Sequence, residues 1–89
     1  MVERDVLIIN KLGLHARAAA KFVTLASSYE CDIQLARNQR AVNGKSIMGV
    51  MMLAASKGST VKIITKGIDE QQALSNLAEL VNNRFGEPE

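Results

Sequence analysis

Only one cysteine, Cys31, stands among the 89 residues. No internal disulfide can form, so the fold must hold without one. The single histidine, His15, adds one more soft ligand, too few for a zinc site. A lone thiol fits a reducing compartment. The sole proline, Pro88, lies at the tail, so no proline interrupts an element. Aromatics number three: Phe22, Tyr29 and Phe85. An excess of one sign of charge is also absent: 11 basic against 9 acidic residues give a net +2, too mild to announce nucleic acid. The longest apolar stretch, Ile47 to Ala55, falls far short of the roughly 20 residues a membrane span requires. Met1-Val2-Glu3-Arg4-Asp5 lacks the basic-then-apolar order of a signal peptide. A single soluble, cytoplasmic domain over residues 1–89 is expected, with no metal, no cofactor and no membrane insertion. A chain this short has one modest core, and no room for separate cofactor and substrate domains.

The pattern of what is present alternates between two periods. Val6 to Ile9 reads as a strand, ended by Asn10-Lys11-Leu12-Gly13. Ala19, Phe22, Val23 and Ala26 share one helical face, and Ser27-Ser28 end that helix. Ile33 and Leu35 alternate with Asp32 and Gln34 as a half-buried strand. Asn38-Gln39 reads as a turn, with Arg40 to Val42 returning. Ser46 sits where a helix cap belongs, ahead of Ile47 to Leu53. Thr60 to Thr65 is a fourth strand, stopped by Gly67. Asp69-Glu70 put negative charge at the start of a last helix. Leu74, Leu77, Ala78, Val81 and Phe85 form its apolar stripe, and Gly86 ends it. The order β-α-β-β-α-β-α predicts an α+β fold. It is an open-faced two-layer sandwich, with a four-stranded antiparallel sheet and three helices on one face.

His15 carries the chemistry. It follows Gly13-Leu14 and opens a helix, where the first amides lack intrahelical partners. The free N–H groups of Ala16 and Arg17, with the helix dipole, form an anion site beside the ring. A neutral imidazole there is a competent nucleophile toward phosphorus, and Arg17 brings a guanidinium to the same oxygens. An isolated histidine in such a place is most often a mere cap, so the surrounding residues decide.

Asn10-Lys11-Leu12-Gly13-Leu14-His15-Ala16-Arg17 and Lys45-Ser46-Ile47-Met48-Gly49-Val50-Met51-Met52-Leu53 resemble the two signatures of the HPr family. These are histidine-containing phosphocarriers of the bacterial phosphoenolpyruvate-dependent phosphotransferase system. Chain length, motif spacing and element order agree with the resemblance. It implies that His15 accepts a phosphoryl group from enzyme I through Nδ1 and passes it to a histidine of an enzyme IIA protein. It implies a regulatory phosphorylation at Ser46 wherever an HPr kinase/phosphorylase is present. A carrier of this kind is a substrate and product of other enzymes, and a monomer is expected. Ala18 stands where the family usually has proline, which adds an N–H near the site. The Ala18-Ala19-Ala20 run resembles the nitrogen-related branch, NPr, as much as the sugar-transport branch.

The second helix supplies a docking face. Val50, Leu53 and Ala54 share one side; Ile47, Met48, Met51 and Met52 share the other. A short helix apolar all round in so small a domain leaves one side for partners, and methionines adapt to several. Leu14 and Ala20 are expected to extend that patch, with Arg17, Lys21 and Lys45 as a basic rim for acidic partners. The competing reading is an RNA-binding βαββαβ module. It requires aromatics on strands, and none of the three falls on one.

Overall fold

The computed structural model describes residues 1–89. The chain runs β1 (Val2–Leu7), α1 (Ala16–Ser27), β2 (Asp32–Arg37), β3 (Arg40–Asn43), α2 (Ile47–Met52), β4 (Thr60–Lys66) and α3 (Glu70–Asn82). A 3-10 turn, Arg84–Gly86, follows. The four strands form one antiparallel sheet in the order β1-β4-β2-β3. Both the two-layer class and the element order are as the sequence predicts.

Alternation along the strands sets the layers. Val61, Ile63 and Thr65 of β4 are buried, as are Ile33 and Leu35 of β2 and Val6 of β1. They meet Phe22, Val23 and Ala26 of α1 and Leu74, Leu77 and Val81 of α3 in one hydrophobic core. Residues between them point to the uncovered face, where Glu3 and Lys62 pair at 3.4 Å. Thr65 is polar and wholly buried, but its hydroxyl donates to the Glu70 carbonyl at 2.9 Å. That bond joins the end of β4 to the start of α3. Asp69 does the same for β2: its carboxylate accepts from the N–H of Glu30 and of Cys31, each at 2.9 Å.

Three local expectations need correction. The first strand begins at Val2, not Val6, because Val2 through Leu7 pair with Thr65 through Thr60. Charged Glu3, Arg4 and Asp5 hid it, as expected of an edge strand with a solvent-facing side. Phe85 is buried but does not belong to the stripe of α3. That helix ends at Asn82, and Phe85 returns to the core from a turn where Arg84 and Phe85 both have φ of 54°. Ala54 also leaves α2: it takes a φ of 52° and is exposed.

No helix is long and apolar enough to cross a membrane. Phe22 lies on α1, Tyr29 after it and Phe85 in the last turn, so the sheet presents no aromatic platform.

Candidate functional site

The loop between β1 and α1 places His15. Gly13 takes a φ of +66°, and a Cβ there would lie 2.5 Å from the Ala55 carbonyl oxygen. Only glycine fits both constraints. The next N–H, that of Leu14, donates to that carbonyl at 2.9 Å, tying the loop to the segment after α2. Leu14 itself is buried, which corrects its expected place in an exposed patch. It anchors the loop from below while His15 emerges above it.

His15 is the N-cap of α1, with extended backbone and no side-chain capping bond. The first N–H to close the helix is that of Ala19, onto the His15 carbonyl at 2.9 Å. Ala16 and Arg17 are exposed, their backbone N–H groups have no hydrogen-bond partner, and the Arg17 side chain makes no ion pair or hydrogen bond. Ala18 is wholly buried. The extra N–H that alanine carries there is therefore not presented to solvent, contrary to expectation.

The imidazole is not free. Its Nε2 meets a Glu87 carboxylate oxygen at 2.5 Å. The other Glu87 oxygen accepts from Asn10 Nδ2 at 2.9 Å, and the same amide nitrogen donates to the Gly13 carbonyl at 2.8 Å. Burial pushes the Glu87 carboxyl up. Hydrogen bonds from Asn10 and His15, with the nearby positive charge of Lys21, outweigh it and hold the group below its ordinary 4.5. The tail is fixed further by the Lys11 N–H, which donates to the Glu89 carbonyl at 3.0 Å. Lys11, Leu12, His15, Ala16, Arg17 and residues 87–89 line an open depression of about 710 Å³.

Asn10 and Glu87 escaped the sequence reading. Glu87 lies 72 positions from His15, and no local pattern signals such a contact. Asn10 read as a loop residue, yet it is wholly buried and its Oδ1 has no partner. An unsatisfied buried amide oxygen costs about 1–3 kcal/mol.

The expected basic rim is thinner than predicted. Lys21 donates to the Phe85 carbonyl at 2.8 Å and Lys45 to the Tyr29 carbonyl at 2.7 Å. Arg17 keeps its guanidinium free. Ala20 is half-buried on α1. On α2, Ile47, Met48, Met51 and Met52 are all exposed, while Val50 and Leu53 enter the core. Ser46 caps this helix, its hydroxyl accepting from the Gly49 N–H at 3.1 Å. No cluster of His, Cys, Asp or Glu has the makings of a metal site.

Residues 2–83 match the family model described as "PTS HPr component phosphorylation site". The chain belongs to the HPr family. It is 57% identical over its full length to the phosphocarrier protein HPr of Cupriavidus necator, and covers all of that protein. It is 57% identical to the HPr of Pseudomonas aeruginosa over 96% of each chain. An HPr crystal structure from Thermoanaerobacter tengcongensis superposes with a TM-score of 0.96 over the whole of both chains, at 44% identity. As an HPr-family member the chain is a phosphocarrier of the phosphotransferase system.

Proposed function

We propose that His15 accepts a phosphoryl group from enzyme I, originating in phosphoenolpyruvate, and passes it to a histidine of an enzyme IIA protein. The observation that carries this reading is the placement of His15. It caps α1 with the open amides of Ala16 and Arg17 directly after it. In acceptance, a ring lone pair forms the N–P bond while the donor's bond to phosphorus breaks and its electrons leave with the donor. In donation the pair returns to the ring. The phosphoryl oxygens rest against the helix N-terminus and the free Arg17 guanidinium, both of which favour negative charge. The partners supply the remaining groups, so the protein is a monomeric cytoplasmic carrier and no turnover enzyme. It needs no cofactor.

The exposed face of α2, with Ile47, Met48 and Met51, is the docking surface of this reading, and Ala20, Lys21 and Lys45 border it. Ser46, beside that face, is the regulatory site for an HPr kinase/phosphorylase. A phosphate there adds a charge of about −1.5 to −2 and hinders docking to an acidic partner.

With enzyme I and phosphoenolpyruvate the protein gains one acid-labile, base-stable phosphoryl group. The His15→Ala variant stays folded and unlabelled; label on that variant overturns the assignment. Passing the group on to purified enzyme IIA proteins separates the branches. Transfer to sugar-linked acceptors assigns transport, and transfer to the nitrogen-linked acceptor alone assigns the NPr branch.

A further inference from the structure

We infer that Asn10 and Glu87 are a positioning pair that fixes the tautomer of His15 and so selects which ring nitrogen reacts. The inference rests on the reading of His15 as phosphoryl acceptor and donor. A carboxylate can only accept hydrogen bonds. Glu87 is held in its ionised form at neutral pH. At 2.5 Å from it, Nε2 must therefore carry the ring proton. In the neutral ring the lone pair then belongs to Nδ1, the nitrogen that the tail does not cover.

Asn10 decides how Glu87 is held. Its Nδ2 has two protons, and both are engaged, by Glu87 Oε1 and the Gly13 carbonyl oxygen. The opposite amide orientation would set its oxygen against two acceptors, so the partners fix the orientation. The result leaves Oδ1 buried without a partner. A wholly buried position that keeps a half-satisfied amide, where an apolar side chain would pack without that penalty, points to a task other than core filling. The task is to donate to one oxygen of a tail carboxylate so that the other faces the ring.

The pair serves both directions of transfer. When Nδ1 forms its bond to phosphorus, the ring keeps its Nε2 proton and gains positive charge, which the Glu87 carboxylate balances. When that bond breaks, the pair of electrons returns to a ring still protonated at Nε2. The leaving group is then neutral imidazole and not imidazolate. No proton has to enter or leave during either step.

Glu87→Gln tests this while keeping the size and shape of the side chain, and thermal melting checks that the fold survives. Asn10 Nδ2 is a donor and claims the one amide oxygen, which turns the new NH2 toward the ring. Nε2 must then accept, and the proton moves to Nδ1. Imidazole nitrogen NMR shifts, recorded roughly two pH units above the ordinary histidine value of about 6.5, should show Nε2–H in the wild type and mainly Nδ1–H in Glu87→Gln. Asn10→Ala should give a mixture, and thermal melting checks that its fold survives. Phosphoryl transfer from enzyme I to Glu87→Gln should lose about ten- to hundredfold in kcat with KM little changed. A Glu87→Gln protein with the wild-type tautomer overturns the inference, as does one with the wild-type kcat. If the wild type takes no phosphoryl group from enzyme I, the proposed function falls, and the tautomer comparison alone decides the positioning role.

Discussion

Two side chains show how far single residues depart from their ordinary chemistry. Burial, with the Asp69 carboxylate beside it, pushes the Cys31 thiol from 9.0 up to about 11. The unfolded chain releases this proton at lower pH than the folded one. Cys31 therefore stabilises the fold fully below about pH 9, and that contribution drains away as pH rises toward 11. Denaturant midpoints of the wild type should fall over this window, while those of Cys31→Ala stay flatter. The same protonated thiol should alkylate at pH 8 about a hundredfold more slowly in the folded protein than in denaturant. Glu87 works with the opposite sign. Its folded value lies below the ordinary 4.5, so it stabilises above that pH and the gain is lost as pH falls through the folded value. Urea midpoints should favour wild type over Glu87→Gln near neutrality and converge in acid. A gap that persists unchanged in acid would leave the tail carboxylate without this role.

Most of the elements were legible because their periods are clean. The stripe Ala19, Phe22, Val23 and Ala26 marks α1, and Ser46 marks the start of α2 through a cap that the structure contains. The errors fall where period and burial part company. β1 carries three charged residues in a row on an edge, so alternation cannot report it. Phe85 keeps helical spacing from Val81, yet reaches the core through a turn of positive φ that spacing cannot encode. His15 and its cap were readable from local residues. Its clamp was not, because Asn10 and Glu87 meet only after the whole chain has folded. Leu14 was misplaced for a related reason: an apolar residue beside a polar site can face either way, and the contact of its loop with Ala55 decides. That contact makes Gly13 the residue on which the loop turns. Gly13→Ala puts a Cβ into the Ala55 carbonyl at an unfavourable φ. It should lower stability by about 1–3 kcal/mol in chemical denaturation and slow His15 phosphorylation along with it. An alanine variant with wild-type stability would mean that the loop relaxes without strain.

Viewed across its surface, the protein separates the apolar groups that hold the fold from those left exposed. Val50 and Leu53 take α2 into the core, while Met48 on the same helix stays 75% exposed. Four apolar side chains on this six-residue helix, Ile47, Met48, Met51 and Met52, are left exposed to solvent. Two lysines expected at the rim are occupied by carbonyls, so Arg17 is left as the free cation beside the site. If the outer face of α2 docks partners as proposed, apolar contact should contribute more than charge, and the two are separable by experiment. Met48→Asp removes an exposed apolar side chain and adds a charge outside the core. Its effect on stability should stay within about 0.5 kcal/mol. On docking it places an unpaired carboxylate where apolar surface is buried, a loss of about 2 kcal/mol or more when the site is central. That corresponds to roughly thirtyfold in the KM for phosphorylation by enzyme I, with kcat little changed because His15 and its surroundings are untouched. Arg17→Ala should divide the other way, lowering kcat more than it raises KM. The comparison to make is the rate of His15 phosphorylation against carrier concentration for the wild type and both variants, with melting curves alongside. If Met48→Asp follows the wild-type curve, enzyme I does not dock on the outer face of α2, and the exposed methionines need another partner.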